Sequence, residues 1–120
     1  MKKKPAKIEK AIQEFVSKVN KLLGDRVKKI VLYGSYARGD YNKESDIDIM
    51  ILTDLTNEEI IKFRRKISDI AYDIEEANDF DIYISPLLKN LERFNYWLEA
   101  LPFYMNVQKE GVILSDSQNI

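Results

Sequence analysis

Residues Val31 to Met50 read VLYGSYARGDYNKESDIDIM. An apolar run enters the pair Gly34-Ser35, ten residues follow, and Asp46 and Asp48 then flank Ile47 at the head of a second apolar run. Gly34 lets the backbone turn sharply and approach a ligand closely, while Ser35 offers a hydroxyl and a backbone N–H where a strand gives way to a candidate helix N-terminus. Gly39 frees the chain to return, and Arg38 either faces solvent or touches a phosphate. An ordinary loop between two strands would use the same residues, so the segments on either side have to decide.

VKKIVLY, Val27 to Tyr33, is short and rich in β-branched residues, which predicts a strand running into the Gly34 turn. SDIDIMILT, Ser45 to Thr53, alternates, with Ile47, Ile49 and Ile51 on one face and Asp46, Asp48 and Met50 on the other. DFDIYIS, Asp79 to Ser85, alternates again, setting Phe80, Ile82 and Ile84 against Asp79, Asp81 and Tyr83, and predicts a third strand with acids on its polar face.

Between and around the strands the apolar period lengthens. Ile8, Ile12, Phe15, Val19 and Leu22 predict an amphipathic helix that starts after Pro5 and ends at Gly24. Thr56 and Glu59 have capping-box spacing, and Ile60, Phe63, Ile67, Ile70, Ile74 and Ala77 continue as a long helix. Pro86 suits the first turn of a further helix with the stripe Leu87, Leu91, Phe94, Leu98 and Leu101, which Pro102 should end or kink. The tail segment VILS after Gly111 is either a short strand or coil. No linker or repeat interrupts this order, so the expectation is one domain over residues 1–120, α+β or α/β, with a small mixed β-sheet packed against α-helices that cover one face.

With 19 basic and 20 acidic residues, no overall field draws the chain to nucleic acid or to anionic membrane. Lys2, Lys3, Lys4, Lys7 and Lys10 form a basic N-terminus, read as a solvated tail in preference to a nucleic-acid arm. No apolar run approaches the roughly 18 residues of a membrane span, and a cytoplasmic location is expected. Cysteine and histidine are both absent. That excludes thiolate zinc sites, Ser-His-Asp triads and Cys-His pairs, leaving carboxylates, hydroxyls, Lys and Arg, or metals that accept oxygen ligands.

Within those limits the acids are the informative residues. Side chains at i and i+2 of a strand face the same way about 6 to 7 Å apart, so Asp46 and Asp48 present two carboxylates to one volume. Mg²⁺ takes oxygen ligands, typically from one or two carboxylates plus substrate phosphates. Asp81 supplies a third carboxylate if its strand neighbours the second, and Asp79 is the alternative on the same face. Clustered acids repel and would take up protons without a cation, which favours a metal site over a merely solvated face.

The spacing of Gly34-Ser35, ten residues, then Asp46-Ile47-Asp48 resembles the signature of the nucleotidyltransferase superfamily that includes DNA polymerase beta. GSYARGD with SDIDI, and the closing PFYMNVQKEGVIL from Pro102 to Leu114, are most similar to its minimal nucleotidyltransferase branch, antitoxins paired with HEPN-domain toxins in type VII systems. The resemblance implies that Gly34 and Ser35 bind the triphosphate of ATP, with Arg38 as a further phosphate candidate. It also implies that Asp46, Asp48 and Asp81 hold two Mg²⁺ ions, Asp81 serving in addition as base. A hydroxyl would attack the α-phosphate and release pyrophosphate. The chain is short for members that carry an acceptor domain, so the implied acceptor is another protein, a tyrosine of the cognate HEPN ribonuclease toxin. Tyr96, Trp97, Phe103, Tyr104 and Met105 are a candidate docking patch. Two other functions remain open from the residues alone: a small-molecule nucleotidyltransferase completed by a separate substrate-binding subunit, and an antitoxin that neutralises by binding without catalysis.

Overall fold

In the computed structural model, residues 4–116 are described; Lys2 and Lys3 of the basic N-terminus lie outside them. The elements run α1 (Ala6–Leu23), β1 (Val27–Tyr33), α2 (Ser35–Arg38), β2 (Ile47–Thr53), α3 (Asn57–Ala77), β3 (Ile84–Asn90), α4 (Leu91–Trp97), α5 (Pro102–Glu110) and β4 (Val112–Asp116). The four strands form one mixed sheet in the order β3-β2-β1-β4. β1 is antiparallel to β2 and β4, while β2 and β3 are parallel.

Helix α1 starts after Pro5 and ends at Gly24, whose φ of 57° is open to glycine at little cost. At the start of α3, Thr56 Oγ1 accepts from the Glu59 N–H at 3.2 Å and Glu59 Oε1 accepts from the Thr56 N–H at 3.0 Å, the capping box its spacing predicts. Phe15 and Val19 of α1 and Ile67 and Ile74 of α3 bury against Ile30, Leu32, Ile47, Ile49 and Ile51 on one sheet face. Each such fully buried aliphatic or Phe side chain contributes about 1.5 to 3 kcal/mol.

The segment from Asp79 to Leu101 folds differently from its periodicity. Asp79 and Phe80 take left-handed φ values of 55° and 57° in a turn after α3, and the strand begins at Ile84, so Asp81 precedes β3. Residues 86 to 90, expected as helix, are strand. Pro86 is tolerated because β3 is an edge. The Ile47 N–H donates to the Tyr83 carbonyl at 2.8 Å, and the two-residue period of the ladder then turns even-numbered N–H groups of β3 outward. The Ile84 N–H confirms that direction, donating to the Glu75 carboxylate at 2.8 Å. Asn90 then caps α4 by accepting from the Arg93 N–H at 2.9 Å, and Pro102 opens α5.

Helices therefore cover both sheet faces, not one. On the second face Phe94 of α4 and Val107 of α5 pack on Val31, Met50 and Leu52, with Tyr33, Leu87 and Tyr104 around them. The cover stops short of the end of that face where Asp48 lies.

Candidate active site

β1 delivers the chain to Gly34, which has φ 76° and ψ −157°, a conformation accessible almost only to glycine. α2 follows as a single turn, with the Ala37 and Arg38 N–H groups donating to the Gly34 carbonyl at 3.1 and 3.0 Å. Gly39 closes it at φ 92°. The return loop is tied by its own side chains: Ser45 Oγ accepts from the Asn42 N–H at 2.9 Å and Asn42 Oδ1 from the Glu44 N–H at 2.8 Å.

That return sets Asp48 directly across from Tyr33 in the β1–β2 ladder. A methyl group added to Gly34 would collide with Asp48 Oδ2. The glycine is thus required twice, by its dihedrals and by the carboxylate lying against it, and the two ends of the opening sequence stretch become one wall. Burial first, then repulsion from Asp46, raises the Asp48 carboxyl above its usual range, with Arg38 opposing. Burial and Asp48 together push the Tyr33 hydroxyl up to about 12.

Gly34, Ser35, Arg38 and Asp48 line a cleft of about 490 Å³, closed on the far side by Phe103, Asn106 and Glu110 of α5. Arg38 points into an acidic setting, with Nε 3.2 Å from Asp40 and Nη1 3.4 Å from Glu110. Phe103 stands edge-on to Tyr33 at 5.6 Å between ring centroids. The place of α5 as a wall of the cleft has no local sequence signal, because only the tertiary fold returns this helix to the turn.

Asp46 lies just ahead of β2 and is exposed. Asp81 is elsewhere: its carboxylate pairs with Lys7 Nζ at 2.9 Å, in a second cleft of about 670 Å³ floored by Tyr36 and Tyr41. Those rings stack at 4.5 Å and 18°. Asp46 links the clefts electrostatically, since burial, Tyr41 and Asp46 all raise the Tyr36 hydroxyl. Asp79 is held in the turn after α3, its N–H donating to the Glu76 carbonyl at 3.0 Å. Among the described residues no group of three or more acidic side chains converges on one metal position. Beside Asp48 on β3 the register places Ser85, not an acid.

The aromatic patch divides. Phe103 belongs to the cleft wall, and Tyr104 packs on Phe94 at 4.7 Å in the second core. Tyr96 and Trp97 stay exposed beside a groove at the opposite end of β2, lined also by Leu55, Asn90 and Arg93. No helix among the described residues is long and apolar enough to cross a membrane.

The model of the nucleotidyltransferase domain family matches residues 8–113, so the chain belongs to that family and is a nucleotidyltransferase. Two proteins of Methanocaldococcus jannaschii, each named a "putative protein adenylyltransferase", are similar to it. One is 38% identical over 106 residues, covering 88% of this chain and 96% of the relative. The other is 39% identical over 79 residues, covering 64% and 74%. The crystal structure of a "putative nucleotidyltransferase" from Sulfolobus solfataricus superposes with a TM-score of 0.61 at 18% identity, over 98% of this chain and 94% of that one, which establishes the shared fold.

Proposed function

We propose that this chain transfers AMP from ATP to a hydroxyl of a separate protein in the cytoplasm, and that the acceptor is a tyrosine of a HEPN-domain ribonuclease toxin silenced by the modification. The observation that carries the transfer is the contact between the Gly34 turn and the Asp48 carboxylate, which joins a phosphate cradle to a cation-binding carboxylate with no side chain between them. The names of the Methanocaldococcus relatives support a protein acceptor. The toxin follows from the sequence resemblance to minimal nucleotidyltransferases.

The donor set suits Mg²⁺: two carboxylates on one sheet face, one with its charge disfavoured by burial and by the other, gain most from a hard cation with oxygen preference. Two Mg²⁺ ions bound by Asp46 and Asp48 would supply charge stabilisation at the attacking and leaving oxygens. The chain's own part is positioning. Gly34 lets the triphosphate approach the backbone, Ser35 offers its hydroxyl and N–H, and Arg38 reaches a phosphate by giving up Asp40 or Glu110. Asp81 joins as third carboxylate and base only by exchanging Lys7 for the site.

The test is incubation of the purified chain with Mg²⁺, ATP and the HEPN-like product of the adjacent reading frame, read by mass spectrometry. The expected result is a partner heavier by one or more AMP units, absent with the Asp46→Asn, Asp48→Asn double variant. Equal neutralisation of the toxin by both proteins with no mass gain would overturn the catalytic reading.

A further inference from the structure

We propose that the chain also modifies itself, with Tyr83 accepting one AMP group when no partner hydroxyl is supplied. This rests on the nucleotidyl-transfer reading above and adds an acceptor within the same polypeptide.

The sheet register carries the inference. β2 and β3 are parallel, with Ile47 opposite Ile84 and Asp48 opposite Ser85, and the hydrogen bond from the Ile47 N–H to the Tyr83 carbonyl extends the alignment back to Asp46 and Tyr83. Partners in a parallel ladder face the same way about 4.8 Å apart. Ile84 and Leu88 turn into the first core with Ile47, Ile49 and Ile51, so Tyr83 and Ser85 share the opposite face with Asp46 and Asp48. Tyr83 is 52% exposed at that edge. Its phenol outreaches a carboxylate by the length of a ring, a span sufficient to bring the hydroxyl to a phosphate bound over the acids.

Strand order supplies the direction of attack. Gly34 and Ser35 lie on the β1 side of β2, and Tyr83 on the β3 side. In-line displacement needs nucleophile and leaving group on opposite sides of the phosphorus, which is the arrangement these two flanks provide. The other hydroxyls near the site are less suited. Ser85 is too short to pass beyond Asp48, Tyr36 and Tyr41 are buried in the first core, and Tyr33 stands on the side of the leaving group.

In the step, the Tyr83 phenolic oxygen bonds to the α-phosphorus of ATP and the bond from that phosphorus to the oxygen bridging to the β-phosphate breaks. Pyrophosphate departs past Gly34 and Ser35, and the phenol proton passes to solvent at the exposed rim. The product is a tyrosine–AMP phosphodiester. It fills the approach to the carboxylates, so the reaction stops at one AMP per chain and the modified chain is a poorer donor to a partner.

The experiment incubates the full chain with Mg²⁺ and ATP, without partner, and follows intact mass and peptide maps alongside direct calorimetry of Mg-ATP binding. A gain of one AMP unit on the peptide containing Tyr83 is expected, lost in Tyr83→Phe and Asp48→Asn and retained in Tyr96→Phe. Tyr83→Phe should bind Mg-ATP with unchanged affinity. No mass gain in wild-type chain that binds Mg-ATP, or a gain undiminished in Tyr83→Phe, would overturn the proposal. Loss of Mg²⁺-dependent ATP binding in the wild type would instead strike the nucleotidyl-transfer reading itself.

Discussion

Replacing Gly34 by alanine tests the union of cradle and carboxylate most directly. At φ 76° and ψ −157° an L-residue is strained, a cost of about 1 to 3 kcal/mol. For a chain this size that lowers Tm by roughly 4 to 12 °C. The new methyl must also drive the Asp48 carboxylate back by on the order of 1 Å to regain ordinary contact. A displacement of that size in a group that positions substrate costs on the order of 100-fold in rate. Gly24→Ala is the control: its φ of 57° is likewise unfavourable for alanine, but nothing lies within 4 Å of the added carbon. Gly24→Ala should therefore lower Tm while sparing activity. Thermal melts and AMP transfer on both variants decide the matter. If folded Gly34→Ala transfers AMP at the wild-type rate, the abutment of turn and carboxylate is not what builds the site.

Three further outcomes follow from the electrostatics and caps. The Asp48 carboxyl is raised in the folded chain, so its ionisation penalises the fold increasingly as pH climbs through its ordinary value of 3.8 and fully above the folded value. Asp48→Asn should melt above wild type at pH 7 without Mg²⁺ and converge with it in acid; an equal or lower Tm at pH 7 would contradict the burial argument. Glu59, held at 2.9 Å by Arg26, has its carboxyl pulled down from 4.5 to about 2, chiefly by that hydrogen bond. Its contribution is present above pH 4.5 and lost as pH falls toward 2, so Glu59→Gln should flatten the stability profile across that window in acid titrations followed by circular dichroism. Thr56→Ala removes the α3 cap and should cost about 1 kcal/mol in denaturant melts while leaving AMP transfer unchanged.

Much of this molecule is legible residue by residue. β-Branched density identifies β1, and the alternation of Asp46 and Asp48 with isoleucines identifies the start of β2, where one face stays open; beyond it Met50 and Leu52 bury in the second core and the period of two fades. The capping box announces α3 for a similar reason, since the bonds that start a helix lie within four residues. Gly34, Ser35, Asp46 and Asp48 stand out because the turn and the paired acids are also local features.

What escaped local reading depends on neighbours. The alternation from Asp79 to Ser85 matches a strand, yet Asp79 and Phe80 enter a left-handed turn and pairing begins at Ile84. Leu87, Leu91, Phe94, Leu98 and Leu101 fit a helical stripe, but Leu87 and Leu88 belong to β3, whose Pro86 costs nothing only because the strand is an edge. The sequence by itself determined the strand-turn-strand unit, its paired carboxylates and the class of chemistry left to a chain without His or Cys. Tertiary structure alone decided that Asp81 pairs with Lys7, that α5 walls the cleft and that Tyr83 flanks Asp46. Each of those depends on sheet register and helix docking across many residues, and short-range periodicity carries no information about either.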